Sequence, residues 1–148
     1  MSFVFKTMAI GADHAGYALK EYLKQYTKSF NFELKDFGTN SEASVDYPDF
    51  AQLVCQGIIR QEVSSGILIC GTGIGISIAA NRFPEIRAAV CNDGVTAVKL
   101  ARAHNNANVL CLGARLIGTV VAEDCLHHFL NTPFDGGARH LKRLQKLS

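Results

Sequence analysis

Short apolar runs alternate along this chain with longer segments in which apolar residues recur at helical spacing. The runs predict five strands, at residues 7–12 and 33–37 and in segments that end at Cys70, Cys91 and Gly113. The intervening segments predict helices, which cover residues 16–28, 48–61, 74–81, 94–104 and 118–130. Strands that alternate with helices are typical of a parallel sheet covered on both faces. We therefore expect a three-layer α/β/α, Rossmann-like sandwich around a five-stranded parallel sheet.

A glycine turn at 136–137 precedes one further predicted helix. That helix carries an apolar stripe of three leucines, Leu141, Leu144 and Leu147. Arg139 and Arg143 stand four residues apart and share another of its faces. Because no repeat, linker or low-complexity segment interrupts the pattern, we expect residues 1–148 to form a single domain.

The composition is that of an ordinary globular protein, with 148 residues, 48% of them hydrophobic and 19% charged. No apolar run reaches the roughly 18 residues of a membrane span. The first residues lack the apolar core and cleavage site of a signal peptide, so we expect a soluble, cytoplasmic protein. The five cysteines form no C-x-x-C pair, which argues against a disulfide framework or a zinc ribbon.

The net charge of +2 is unevenly distributed. Residues 136–148 contain four basic side chains and no acidic one, which leaves 11 basic and 13 acidic residues in the rest of the chain. Four charges are few for a nucleic-acid surface. We therefore expect a small anionic ligand rather than nucleic acid or a membrane.

Parallel α/β sheets bind ligands beyond the carboxyl ends of their strands, so the residues that follow each strand are the first candidates. After the first strand, "GADHAG" and Asp36 imitate the spacing of a dinucleotide-binding fingerprint. Asp13, however, replaces the glycine that approaches the pyrophosphate, and its carboxylate would repel a phosphate. Asp13 and His14 are instead suited to proton transfer or to binding polar groups. The alternative is a helix-capping aspartate beside an incidental histidine.

After the third strand, "CGTGIG" places several backbone N–H groups and the Thr72 hydroxyl at the start of a helix. Such a loop can bind an anion or an oxyanion, with Gly71, Gly73 and Gly75 as the candidate positions. A thiol at that place is favoured as a base or nucleophile, because the positive end of a helix stabilises a thiolate. For Cys70 the alternative is simple packing in the apolar core.

Further candidates have equally plain alternatives. His104 and Asn105 end the fourth predicted helix, where both residue types are common for reasons of capping and helix dipole. Arg115, Arg139 and Arg143 form either a guanidinium cluster for a phosphate or a solvated surface. The histidine pair at 127–128 has no matching ligand elsewhere in the chain, so the sequence indicates no metal site.

Taken together, these segments resemble the ribose-5-phosphate isomerases of type B, a family that also includes galactose- and allose-6-phosphate isomerases. The resemblance is collinear over nearly the whole chain, and its main segments are "AIGADHAGYALK", "DFGT", "DYPDFA", "GILICGTGIGISIAANR", "RAAVCND", "ARAHNNANVLCLGAR" and "GGARHLKR". It implies interconversion of ribose 5-phosphate and ribulose 5-phosphate, a step of the non-oxidative pentose phosphate pathway. It implies no metal and no organic cofactor.

The resemblance also implies a role for each matching residue. Cys70 would shuttle the carbon-bound proton, Thr72 and the amides of the glycine loop would stabilise the enediolate, and Asp13 would move protons between sugar oxygens. His104 would assist ring opening. The implied substrate ligands are His14, Arg139 and Arg143 for the phosphate and Tyr47 and Asn105 for the sugar.

The resemblance further implies a homodimer or tetramer with shared active sites. His104, Asn105 and Arg115 would come from a neighbouring subunit, toward which the C-terminal helix would extend. Two positions depart from the family pattern: Ala138 is inserted before the first tail arginine, and Ile76 stands where some members have a glutamate base. Two alternatives stay open, namely a six-carbon sugar phosphate as substrate and a non-catalytic module that binds a nucleotide or phosphosugar.

Overall fold

Strands and helices alternate in the predicted order in the computed structural model, which describes residues 2–147. The strands are β1 (Thr7–Ala12), β2 (Glu33–Asp36), β3 (Ser65–Cys70), β4 (Ala88–Val90) and β5 (Val109–Gly113). The helices are α1 (Tyr17–Tyr26), α2 (Tyr47–Ile59), α3 (Ile74–Ala80), α4 (Val95–Asn105), α5 (Thr119–Asn131) and α6 (Ala138–Gln145). Every predicted element is present, with bounds that differ by no more than two residues. The outermost positions of the predicted domain, 1 and 148, lie outside the described residues.

All strand pairs are parallel, and the sheet has the order β2-β1-β3-β5-β4. From β1 the chain moves outward to β2 and then returns across β1 to β3. This change of direction opens a crevice above the carboxyl ends of β1 and β3, the usual place for a ligand in open α/β sheets. The topology therefore assigns that edge to the candidate site.

Alternate residues of each strand face opposite layers, because the side-chain period of a strand is two. Met8 and Ile10 pack with residues of α1, α4 and α5 on one face of the sheet. Ala9, Leu68 and Cys70 pack with residues of α2 and α3 on the other face. Both faces are thus covered, and the three-layer prediction is confirmed. Within the described residues, no helix has the length and apolar character needed to cross a membrane.

A cluster of charged side chains ties α1 to β2. The Lys20 side chain is fully buried and donates to Asp36 at 2.7 Å, and Lys24 donates to the same carboxylate oxygen at 2.7 Å. Partial burial raises the pKa of Asp36, but the hydrogen bonds from the two lysines outweigh it, so the pKa lies below its ordinary value. Asp36 has the sequence spacing of the acid in a dinucleotide site, but its carboxylate instead stabilises the packing of α1 against β2.

Replacing Asp36 by asparagine should destabilise the protein, because the buried Lys20 ammonium loses the closer of its two carboxylate partners and keeps only Glu21 at 3.4 Å. We expect a loss of about 2–4 kcal/mol in the free energy of unfolding at pH 7. A carboxyl whose pKa is lowered on folding contributes stability above its unfolded pKa, and the contribution disappears as pH falls through the folded value. The difference between wild type and Asp36→Asn should therefore narrow below about pH 4 in urea titrations.

Glu33→Gln is the matched control, since its exposed carboxyl reaches Lys35 only at 4.0 Å. It should leave the urea midpoint almost unchanged at every pH. Equal effects of the two substitutions would contradict a special role for the buried pair.

Candidate active site

The loop that follows β3 wraps closely around the Cys70 sulfur. The Gly73 N–H donates to Cys70 Sγ at 3.2 Å, and the Ile74 N–H donates to the Thr72 hydroxyl at 3.1 Å. Cys70 is 5% exposed, whereas Thr72 is exposed. The thiol thus lies just beneath the surface, with a backbone N–H directed at it.

Gly73 and Gly75 of this loop are each required by a close neighbour. Gly73 has φ +79°, in the left-handed region, and an added Cβ there would lie 3.0 Å from the carbonyl carbon of Leu112. An added Cβ at Gly75 would lie 2.7 Å from the Tyr47 ring, which therefore rests on the first turn of α3. The prediction that these glycines line the site remains a prediction, but they clearly allow β5 and α2 to approach the loop.

The end of β5 closes the other side of the loop. A Cβ added to Gly113 would lie 2.6 Å from the carbonyl carbon and oxygen of Thr72. The Arg115 N–H donates to the Gly71 carbonyl at 3.0 Å, and the Arg115 guanidinium lies over Gly71. Here the structure differs from the expectation that a neighbouring subunit supplies Arg115, because its own backbone hydrogen bond holds it beside the loop of the same chain.

Asp13 uses one of its carboxylate oxygens to hold the local backbone and leaves the other available. Its Oδ1 accepts the N–H groups of Ala15 and Gly16 at 3.0 and 3.1 Å, so the carboxylate holds the turn that precedes α1. The helix-capping alternative is wrong as stated, because the N-cap residue of α1 is Gly16 and no side chain makes a capping hydrogen bond there. Oδ2 makes no hydrogen bond with any described residue, and it leaves one carboxylate oxygen for a ligand.

His14 holds the long loop between β2 and α2 at the same edge. Its Nδ1 accepts the Val45 N–H at 3.2 Å, and the ring is half-buried. With Nδ1 used as an acceptor, a neutral ring carries its proton on Nε2 and can donate there. His14 can therefore donate a hydrogen bond from Nε2, and its neighbour in the chain, Asp13, can accept one at Oδ2.

His104 and Asn105 lie at the opposite end of the sheet, where the strands begin. Just beyond them the Arg87 side chain donates to the Asn106 carbonyl at 2.8 Å, and the Gly66 N–H donates to the Asn108 carbonyl at 2.9 Å. These contacts place the end of α4 at the start of β3. At a rise of about 3.3 Å per residue, Cys70 lies roughly 13 Å further along the strand than Gly66. A single chain therefore does not bring His104 to Cys70.

The C-terminal helix α6 joins His104 at this second edge. The His140 ring stacks on the His104 ring at a centroid distance of 4.4 Å, and His140 Nε2 lies 3.8 Å from the Asp135 carboxylate. Arg139 and Arg143 are exposed on α6, and Ala138 is its first residue, so the insertion leaves their spacing intact. The two arginines are thus brought near His104 but kept away from Cys70.

His140 and Asp135 were missed by sequence reasoning, although His140 directly follows Arg139. One ligand atom from each of His104, Asp135 and His140 lies within 4.8 Å of the others. The two rings are inclined by only 14°, so their in-plane lone pairs run side by side rather than converging, unlike the ligands of a tetrahedral zinc site. The contact therefore orients the His104 ring.

A buried arginine fixes the end of α4. Arg102 is 1% exposed and donates to the carbonyls of Thr132 and Ala107, at 3.0 and 2.6 Å. Its guanidinium lies over the Phe5 ring, and burial lowers the pKa of Arg102 to about 10. The signal in the sequence was a charged residue four positions after Val98, on the buried side of the helix.

The other four cysteines have the environment of core residues, and all five are free thiols. Burial raises the pKa of Cys55 and Cys91 to about 12 and that of Cys125 to about 11. Burial also raises the pKa of Cys111 well above its usual value. These thiols are held in their neutral form.

The fold and the site define a doubly wound α/β protein whose site combines a thiol with an amide-rich loop at the carboxyl edge of a parallel sheet. Comparison with known families narrows this class. The sequence profile of the Ribose/Galactose Isomerase family matches residues 8–147. The chain belongs to that family.

Individual relatives agree with this assignment. The chain is 41% identical over 143 residues to ribose-5-phosphate isomerase B of Escherichia coli, an alignment that covers 97% of this chain and 95% of that one. It is 52% identical to the structure of a ribose 5-phosphate isomerase from Thermotoga maritima, with a TM-score of 0.92 and coverage of 95% and 96%. It is 45% identical to the structure of ribose 5-phosphate isomerase B from Anaplasma phagocytophilum, with a TM-score of 0.91 and full coverage of both chains.

Gly113→Ala tests the packing of the loop against β5. An added methyl would overlap the Thr72 backbone at 2.6 Å, so the loop must move. We expect a loss of about 1–3 kcal/mol in the free energy of unfolding, measured by urea titration. Gly118→Ala is the control, because nothing lies within 4 Å of its added Cβ and its φ of −90° suits any residue. Equal stability of the two variants would contradict the tight packing.

Proposed function

We propose that this protein is an aldose–ketose isomerase that interconverts ribose 5-phosphate and ribulose 5-phosphate. Family membership and relatives named as ribose 5-phosphate isomerases support the reaction. The observation that carries the proposal for this chain is the Cys70 thiol with the Gly73 N–H aimed at it. A sugar phosphate is charged and does not cross a bilayer unaided, so we propose the cytoplasm as the place of the reaction.

In the proposed mechanism Cys70 is the base. As a thiolate it removes the proton from C2 of the open-chain aldose, and as a thiol it returns that proton to C1. The Gly73 N–H supports this cycle because a hydrogen bond to an anion is stronger than one to a neutral group. The other four cysteines are unsuited to the task, since burial keeps them protonated.

The loop 71–75 is proposed to stabilise the enediolate between the two proton transfers. Negative charge develops on the oxygen at C1 when the C2 proton leaves, and backbone N–H groups already fixed in place stabilise it without reorganisation. The exposed Thr72 hydroxyl accepts from Ile74 and keeps its own proton available for an oxyanion.

The side chains after β1 are proposed to act on the sugar oxygens. Oδ2 of Asp13 is suited to carry a proton from the oxygen at C2 to the oxygen at C1, while Oδ1 keeps the carboxylate fixed to its turn. His14 is proposed as a phosphate ligand through Nε2, and Tyr47 as a sugar contact above Gly75. Arg115 adds a positive charge beside Gly71.

A second copy of the chain is proposed to complete each site. His104, Asn105, Arg139 and Arg143 lie at the end of the sheet opposite Cys70, so one chain alone lacks the ring-opening histidine and the two phosphate-binding arginines beside its thiol. In two copies related by a twofold axis, the end of each sheet that carries His104 can lie beside the Cys70 loop of the other copy, and two equal sites result. We therefore propose a homodimer, alone or paired into a tetramer, with α6 directed toward the partner.

The reaction and its base are tested by one set of assays with ribose 5-phosphate, allose 6-phosphate and galactose 6-phosphate. We expect wild type to turn over ribose 5-phosphate preferentially, because it is the substrate proposed here. Cys70→Ala should lower kcat by at least about 10²- to 10⁴-fold, the range for a positioned acid–base group.

Cys111→Ala is the matched control, since Cys111 is buried on the same face of the sheet, one strand away. It should keep nearly full turnover. Preferred turnover of a six-carbon substrate would overturn the substrate assignment. Binding of all three without turnover would instead favour the non-catalytic phosphosugar module.

Shared sites are tested by mixing two inactive variants, Cys70→Ala and His104→Ala. In a mixed dimer one site receives both intact side chains, so random pairing should restore roughly a quarter of wild-type activity. Mixing Cys70→Ala with Asp13→Ala is the control, because both defects lie at the same edge and no intact site forms. Recovery in neither mixture, despite subunit exchange shown by mass spectrometry, would contradict shared sites.

A further inference from the structure

One peptide group in the loop after β3 is held at both of its ends. Its N–H, that of Gly73, donates to Cys70 Sγ at 3.2 Å. Its C=O, that of Thr72, accepts from the Asn92 side-chain amide at 2.7 Å. In a trans peptide these two bonds point in opposite directions. Asn92 and the Cys70 sulfur therefore lie at opposite edges of the same planar peptide group.

The orientation of Asn92 is itself fixed. Its Oδ1 accepts the Gly113 N–H at 2.7 Å, which assigns the NH₂ group to the Thr72 carbonyl. Asn92 follows β4, Gly113 ends β5, and the loop follows β3, so one half-buried side chain connects three strand ends.

This arrangement matters because the peptide adjoins a glycine. Gly73 has φ +79°, and glycine adopts positive and negative φ with similar ease. Without a partner for the Thr72 carbonyl, the peptide can rotate and turn its N–H away from the sulfur. The hydrogen bond from Asn92 opposes that rotation, and it also polarises the peptide so that its N–H becomes a stronger donor.

We propose that Asn92 is a positioning residue for Cys70: it holds the Thr72–Gly73 peptide so that the Gly73 N–H stays directed at the thiolate. The effect of Asn92 on turnover rests on the proposed function, whereas its effect on the reactivity of the Cys70 thiol does not. Three other charged or titratable side chains face the loop: the Arg115 guanidinium over Gly71, the Tyr47 ring against Gly75 and the neutral Cys111 thiol on β5. All three remain in place when Asn92 is changed.

Asn92→Asp is the sharpest test, because a carboxylate keeps the acceptor for Gly113 but offers Thr72 no donor. We expect Cys70 alkylation by iodoacetamide at pH 7.5 to slow about tenfold or more, the effect of losing one hydrogen bond to a charged group. Mass spectrometry of the Cys70 peptide measures the rate. Turnover of ribose 5-phosphate should fall in kcat by about 10- to 100-fold, with KM changed less than about threefold.

Asn81→Asp is the matched control. Asn81 makes the same paired bonds to a backbone, donating to the Ala88 carbonyl at 2.9 Å and accepting the Ala88 N–H at 2.8 Å, but at the other edge of the sheet. It should leave both the alkylation rate and kcat near wild type. Asn92→Ala replaces Asn92→Asp if the latter does not fold, as judged by circular dichroism.

The outcomes separate the two proposals. An unchanged Cys70 alkylation rate in folded Asn92→Asp overturns the positioning role, whatever happens to turnover. A slower rate in a protein that isomerises none of the sugar phosphates supports the positioning role and refutes the proposed function. Slowing by Asn81→Asp to the same degree would also overturn the positioning role, since it would show a general loss of stability.

Discussion

The constraint on which this molecule depends is the direction of its strands. In a parallel sheet every connecting helix returns the chain to the amino edge, so residues after strands and residues at helix ends collect on opposite sides. Asp13 and Arg115 follow β1 and β5, and Cys70 ends β3, whereas His104 and Asn105 end α4. No local adjustment of one chain can reverse this separation. A site that needs residues from the strand ends and from the end of α4 must be completed by another chain. The proposed chemistry therefore requires the proposed dimer.

The same sheet explains why five thiols with one chemistry have different environments. Cys111 lies within β5 and is fully buried in apolar surroundings, which raise its pKa. Cys70 is the last residue of β3, so its side chain belongs to the core while its sulfur accepts the Gly73 N–H of the following loop. Two strand positions therefore separate a packing residue from a sulfur that accepts a backbone N–H. The position of a cysteine relative to the strand end therefore decides what its sulfur can do.

Much of this could be predicted from the sequence, because strand and helix periods are local properties. All strands and helices were found from apolar spacing, and the residues after β1, β3 and β5 were selected from a general rule about parallel sheets. The task of Asp36 could not be predicted in this way, since its partners Lys20 and Lys24 are identified only when α1 packs beside β2. The contact of His140 with the site could not be predicted for the same reason, because its stacking on His104 joins two helices that are distant in sequence.

The glycine loop shows most clearly where local reasoning ends. Its composition indicated an anion-binding cradle, yet two of its glycines are also required by neighbouring elements: Gly73 by β5 and Gly75 by the Tyr47 ring. A loop of glycines is flexible in isolation and cannot by itself keep an N–H pointed at a sulfur. The rigidity comes from the strands around it, through the Gly113 backbone and the side chain of Asn92. Direction, rather than the mere presence of an N–H group, determines whether a hydrogen bond stabilises a charge. The reactivity proposed for Cys70 is therefore a property of three strand ends held together, and a motif taken alone does not contain it.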